Sequence, residues 1–164
     1  MRRSRRAPAF SSAELLTRGA AMIDLKPITR GNWQEAARLE VSPAQQDFIE
    51  ANVWSIAESR FYEQLTALAI YDGRTMVGFL MWGYSPDDGR PWLYRFMIDR
   101  HYQGQGHGSA ALRRLTKQLR QEGLPELNVG YHRDNLAAER LYLSAGFQKR
   151  GLAPWGELTA RIDF

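Results

Sequence analysis

Gln103-Gly104-Gln105-Gly106-His107-Gly108 joins an apolar run, Trp92–Asp99, to a helical pattern that extends to about Glu122. Alternating glycines at a strand-to-helix junction let a backbone approach a ligand closely. The free N–H groups and positive dipole end of the helix then favour a phosphate. The stretch therefore predicts a bound phosphate-bearing small molecule, and it predicts a chain in which strands and helices alternate.

Outward from this junction, the elements separate on pattern. The run Trp92–Asp99 is apolar at nearly every position, which suits a central strand covered on both faces. Upstream of it, Thr66–Tyr71 and Thr75–Tyr84 flank Asp72-Gly73, a hairpin signal. Ser85–Pro91 is a loop by its Pro, Asp and Gly content. Further back, Ile23–Pro27 reads as a first strand, and Asn32 as the cap of a helix over Trp33–Leu39. Pro43 opens a helical region over 44–51, and another covers Ser55–Gln64.

Downstream, Leu112, Leu115 and Leu119 give the helix of about Gly106–Glu122 one buried side, and Gly123 and Pro125 stop it. Glu126–Tyr131 is a short strand, and Asn135–Ala145 a helix ended by Gly146. Phe147–Ala153 and Glu157–Phe164 form a closing strand pair. This order predicts an α/β fold: a mixed sheet of about seven strands with helices on its faces.

The bulk composition excludes several classes. No apolar run is long enough for a membrane helix. With no cysteine, disulfides, thiolate metal sites and a cysteine nucleophile are impossible, and a cytoplasmic location is expected. The three histidines match no zinc spacing, so no metal is expected. The net charge of +4 belongs to residues 1–21, where five arginines face one glutamate; residues 22–164 are neutral overall. A nucleic-acid partner should leave a basic face on the domain itself, so none is expected. Residues 1–21 read as a basic extension, disordered or weakly helical, and 22–164 as one domain. No apolar segment follows the arginines, so the extension is not a secretory signal.

The glycine loop is not a nucleoside-triphosphate loop, because no Gly-Lys-Ser or Gly-Lys-Thr ends it. Its position past the middle of the chain is wrong for a dinucleotide fingerprint. Gln103-x-x-Gly106-x-Gly108 resembles the acetyl-coenzyme A signature of the GCN5-related N-acetyltransferases. Asn135-Leu-Ala-Ala138-Glu-Arg-Leu141-Tyr142-Leu-Ser-Ala-Gly146-Phe147 resembles that family's second signature, in the expected order and separation. The resemblance spans about Ile23–Phe164. Arg95-Phe-Met-Ile-Asp99 and Tyr102-Gln-Gly-Gln-Gly106, with Gln45, Phe48, Asn52 and Ser55, are similar to bacterial diamine and spermidine acetyltransferases of the family.

The resemblance implies a mostly antiparallel, twisted sheet and acetyl-coenzyme A as the acetyl donor. It implies that Gln103, Gly104, Gln105, Gly106, His107, Gly108 and Ser109 hold the pyrophosphate. Phe96, Met97 and Ile98 would pair with the pantetheine arm, and Asn135 and Ala138 would border the coenzyme. Tyr142 would donate a proton to the leaving thiolate. As a plain residue, Tyr142 could equally be core packing, and Asn135 a helix cap.

The general base is not marked. Many relatives carry a glutamate on the strand before the loop, but Pro91–Arg95 holds no carboxylate. Tyr94, through water, and Glu157, on the closing strands, are the alternatives. Asp47, Glu50, Glu58 and Glu63 could wall a site for a cationic amine or form a solvated face. The expected acceptor is a primary amine of diamine or polyamine type. A peptide amine, or a coenzyme-binding sensor without turnover, are the rivals. Exposed aromatics and family habit suggest a homodimer.

Overall fold

In the computed structural model, which describes residues 21–164, the expected order of elements is present. It runs β1 (Ile23–Pro27), α1 (Trp33–Arg38), a 3-10 helix (Pro43–Phe48), α2 (Asn52–Phe61), β2 (Leu65–Asp72), β3 (Thr75–Tyr84), β4 (Pro91–Ile98), α3 (His107–Gln121), β5 (Glu126–Tyr131), α4 (Leu136–Ser144), β6 (Gln148–Leu152) and β7 (Leu158–Asp163). The basic extension, 1–21, falls outside the described residues except for Ala21.

These strands form one seven-stranded sheet in the order β1-β2-β3-β4-β5-β7-β6. Every neighbouring pair is antiparallel except β4 with β5. The sheet is covered on both faces. Leu112, Leu115 and Leu119 of α3 pack with Ile70, Leu80, Leu127 and Val129 on one side. Ala36 of α1 and Ile56 of α2 pack with Phe79, Met81 and Met97 on the other. The hydrophobic runs of β3 and β4 follow from this, since strands covered twice need apolar side chains at successive positions.

Two irregularities shape the middle of the sheet. The β3–β4 register steps from Met81↔Arg95 to Trp82↔Leu93, so Tyr94 is an extra residue that bulges β4. A bulge bends its strand and sharpens its twist. The parallel β4–β5 ladder holds only Trp92↔Asn128 and Leu93↔Val129. Beyond Leu93 the two strands part. β4 therefore leaves β5 at its bulge, and a wedge opens on the far side.

Several expected details differ. Asn32 precedes α1, but its side chain does not cap the helix. Its Oδ1 accepts from the Thr29 N–H at 2.7 Å and its Nδ2 donates to the Pro27 carbonyl, so it stitches the turn instead. The region after Pro43 is a 3-10 helix ending at Phe48, not a helix over 44–51. Helix α2 begins at Asn52, three residues before the expected start at Ser55. Asn52 is buried there, and its Nδ2 donates to the Ala36 carbonyl at 2.9 Å, tying α2 to α1.

Candidate active site

Gly104 and Gly106 have φ of +71° and +83°, so a residue with a Cβ would be strained at either. Nothing lies within 4 Å of where such a Cβ would stand, so both present open backbone. Gly108 differs: its φ is ordinary, and its place is beside Leu141 and Ile98. The first bond inside α3 runs from the Ala110 N–H to the Gly106 carbonyl at 3.1 Å. The N–H groups of His107, Gly108 and Ser109 thus have no helical acceptor, as at any helix start. They form an anion-binding end on a fifteen-residue helix.

The wedge between β4 and β5 and this helix start line one cleft of about 870 Å³. Tyr94, Phe96, Met97, Ile98, Gln103, Gly104, Gly106, His107, Gly108, Ser109, Asn135, Ala138, Tyr142 and Glu157 all border it. Of the catalytic and coenzyme-binding residues expected from sequence, Gln105 alone is not in its lining; its Nε2 turns back to the His101 carbonyl at 3.3 Å. The Asn135 side chain accepts from the Ala138 N–H at 3.1 Å, which fixes the start of α4 on the cleft's edge. The Gln103 amide donates to the Gln45 Oε1 and to the Ile98 carbonyl, both at 2.9 Å. Both side-chain N–H donors are therefore committed within the protein, and only its backbone N–H is left to donate to a ligand.

Tyr142 is buried among Phe96, Tyr131 and Phe147, with ring centroids 6.5, 5.7 and 5.6 Å away. Burial, and then the charge of Glu157 and the neighbouring Tyr131, push its phenol well above the ordinary value. The group is held protonated, the state a proton donor needs. Tyr94 is also raised, first by burial and then by Asp88 and Asp87, against a lowering by Ser85. A phenol in that state can relay a proton but does not stand ready as an anion.

Glu157, half-buried, borders both the main cleft and a smaller cavity beside it. Its Oε2 accepts from the Trp155 Nε1 at 2.8 Å. A Cβ added at Gly130 would lie 2.6 Å from the same oxygen, so the glycine in β5 leaves the room that the carboxylate fills. Glu157, Tyr94, Arg95, Leu93 and Gly130 also border a second cavity of about 370 Å³. Asp87, Asp88, Trp92 and Trp155 are among its other walls. Carboxylates and two indoles thus flank a space that meets the main cleft at Glu157. Trp92 and Trp155 are edge-on to each other at 6.0 Å.

Of the acidic residues upstream, Asp47 and Glu50 border the main cleft, and Glu58 and Glu63 border neither cavity. Asp99 has no role in the sequence reading beyond ending the string Arg95–Asp99, yet it ties the segment after α1 to the turn after β4. Its Oδ2 accepts from the Glu40 N–H at 2.9 Å, and its Oδ1 accepts from the His101 N–H and meets the His101 Nδ1. Burial alone would raise its carboxyl, but these partners outweigh it and hold the group below the usual range. Gly130 carries no sequence signal of its own either, because its importance is the space it leaves for a residue 27 positions later. Among the described residues no cluster of His, Asp or Glu could hold a metal ion, and no helix is long and apolar enough to cross a membrane.

Residues 31–147 match the Acetyltransferase (GNAT) family. The spermine/spermidine N(1)-acetyltransferase of Bacillus subtilis (strain 168) is 31% identical over 136 residues, covering 79% of this chain and 90% of that protein. An acetyltransferase from Thermus thermophilus has the same fold, with a TM-score of 0.71 at 20% identity over 87% of this chain and 97% of that one. So does the PaiA N-acetyltransferase of Thermoplasma acidophilum, solved with coenzyme A: TM-score 0.67, 16% identity, 87% of this chain and 99% of that one. A pyrophosphate suits the open backbone at Gly104–Ser109, and an amide-bearing arm suits the unpaired edge of β4. By the family match over residues 31–147 and the likeness to the Bacillus subtilis enzyme, the chain belongs to the GCN5-related N-acetyltransferases and is an acetyl-coenzyme A-dependent N-acetyltransferase.

Proposed function

We propose that the acceptor is the primary amine of a small diamine or polyamine such as spermidine, acetylated by direct attack while both substrates are bound. The observation that carries this reading is the second cavity, where Asp87, Asp88 and Glu157 stand with Trp92 and Trp155. Carboxylates favour a polycation, and indole faces favour both its alkyl chain and its ammonium groups. The name of the Bacillus subtilis relative points the same way.

In this reading acetyl-coenzyme A supplies an activated acyl group. The N–H groups from Gly104 to Ser109 hold the pyrophosphate, including Gln105 and His107 through backbone. The free edge of β4 at Phe96 and Met97 pairs with the pantetheine. The Ile98 carbonyl already accepts from Gln103, so its share is smaller. Asn135 and Ala138 border the arm.

Glu157 takes the proton that the ammonium must lose, with Tyr94 and water as a relay. The amine nitrogen then bonds to the acyl carbon as the carbon–sulfur bond breaks. The Tyr142 phenol gives its hydrogen to the departing sulfur, and the second amine proton restores the phenol. No cysteine exists to carry an acyl group between two half-reactions.

Trp54, Phe61 and Tyr62 are large and exposed in and just after α2, which supports a homodimer. Equilibrium sedimentation at micromolar concentration should give twice the chain mass. For the acceptor, free-thiol release with spermidine, putrescine, amino acids and peptides is the test. Saturable turnover on the polyamines is expected. Turnover on peptides alone would overturn the polyamine reading, and coenzyme binding without turnover on any amine would make the chain a sensor.

A further inference from the structure

His107 opens α3, yet its ring turns into the protein and is 3% exposed. Its Nδ1 lies 3.0 Å from the Tyr102 carbonyl oxygen. Its Nε2 lies 3.0 Å from Asp72 Oδ2, on the last residue of β2. The Tyr102 ring meets the imidazole edge-on, with centroids 6.3 Å apart and planes at 87°. The other oxygen of Asp72 accepts from the Met22 N–H at 3.1 Å. A carbonyl oxygen can only accept, so Nδ1 must carry a hydrogen. An ionised carboxylate can only accept as well, so Nε2 must carry one too. A ring that donates from both nitrogens is an imidazolium.

We propose that His107 is a buried imidazolium and the positioning residue for the pyrophosphate of the donor. It pins the loop between Tyr102 and His107 to the β2–β3 hairpin, 35 residues earlier in the chain. The cation lies at the start of α3, and the anion is on the last residue of β2, at the hairpin. The positive end therefore adds to the helix dipole where the ligand's phosphates are expected. None of this requires the imidazole to touch the ligand, since the backbone of the same residue faces the cleft. Sequence pattern conceals the role. A histidine between two glycines looks like a side chain offered to a ligand, and the partner that turns it inward is remote. The inference rests on acetyl-coenzyme A as donor and not on the identity of the acceptor.

The test compares two donors, acetyl-coenzyme A and S-acetylpantetheine, which shares the thioester arm but lacks the pyrophosphate. The variants are H107Q and D72N; the second keeps an acceptor oxygen at Asp72 and removes its charge. For each variant the ratio of kcat/KM between the long and short donors should fall about tenfold, ~1.4 kcal/mol. The acceptor can be any amine the wild type turns over. If both donors suffer equally, the ratio stays put, and His107 is a structural residue with no bearing on the pyrophosphate. A measurement on the wild-type chain needs no variant to fold. Imidazole nitrogen NMR at neutral pH should show two N–H groups on His107, and a ring with a single hydrogen would overturn the charge assignment.

Discussion

The two ends of the cleft are built from different materials. The end proposed for the donor is backbone: positive-φ glycines, unpaired N–H groups at the start of α3, and the free edge of β4. The end proposed for the acceptor is side chains: Asp87, Asp88, Glu157, Trp92 and Trp155, gathered from separate loops and strands. Backbone recognition depends on a local chain path, which a short motif can encode. Side-chain recognition depends on residues far apart in the chain, which no motif holds together. The donor can thus be read in a few consecutive residues, while the acceptor can be read only after folding.

Tyr142 stands between the two ends, and its removal should show the largest effect. Tyr142→Phe keeps the ring among Phe96, Tyr131 and Phe147 but deletes the hydroxyl proposed as proton donor. A fall in kcat of about 10²-fold or more is expected. The KM for acetyl-coenzyme A should barely change. An undiminished kcat in stopped-flow or steady-state assays would return Tyr142 to the role of packing.

Next comes the carboxylate on the acceptor side. Glu157→Gln should lower kcat by about 10²-fold, the lower range for a general base. Gly130→Ala offers an independent route to the same group. Its Cβ would displace the flexible end of Glu157 and little else. It should copy much of the kinetic loss while the melting temperature moves only slightly. If Gly130→Ala is silent in kcat, the position of the Glu157 carboxylate does not matter to the chemistry.

A donor-side change should act through binding. Gly106→Ala forces a residue with a Cβ into φ +83°, at a strain of about 1–2 kcal/mol. About a tenfold weaker Kd for acetyl-coenzyme A is expected by calorimetry, with the amine's KM little altered. Equal losses for both substrates would blur the division between the two ends.

The smallest effect lies at Asp99, which joins Glu40 to the turn after β4. The Asp99 carboxyl is held below its unfolded value, so it stabilises the fold fully above that unfolded value of about 3.9. That contribution is lost as pH falls through the lower, folded value. Acid titrations of wild type and Asp99→Asn should therefore converge at the acid end and stay a constant distance apart at neutral pH. A gap that widened on acidification would reverse the assignment.

The same contrast explains what was legible in the sequence. β1, β3 and β5 lie where alternation and turn residues put them, because those signals are local. Asn32 does not cap its helix, and α2 starts at Asn52 rather than at Ser55, for a shared reason. Each amide can bond at several distances along the chain, and tertiary packing chose Pro27 for one and Ala36 for the other. The segment after Pro43 is wound more tightly because Gln45 serves two purposes. Its Oε1 accepts from the Ser42 N–H and from the Gln103 amide, so the start of that helix answers to a residue 58 positions away. Gln103 in turn looks like a ligand-binding side chain in its motif and is in fact a strut.

The short parallel seam has a further consequence. Only two residue pairs join β4 to β5, while every other neighbouring pair in the sheet shares a longer ladder. The sheet is thus two rafts, β1–β4 and β5–β7–β6, clasped at one corner and bridged on one face by α3. Cooperative units of unfolding tend to follow such divisions. Amides in β5, β6 and β7 should exchange with solvent as one group, through an opening smaller than global unfolding. A ligand spanning the wedge would touch both rafts, and its binding should slow that opening more than any other.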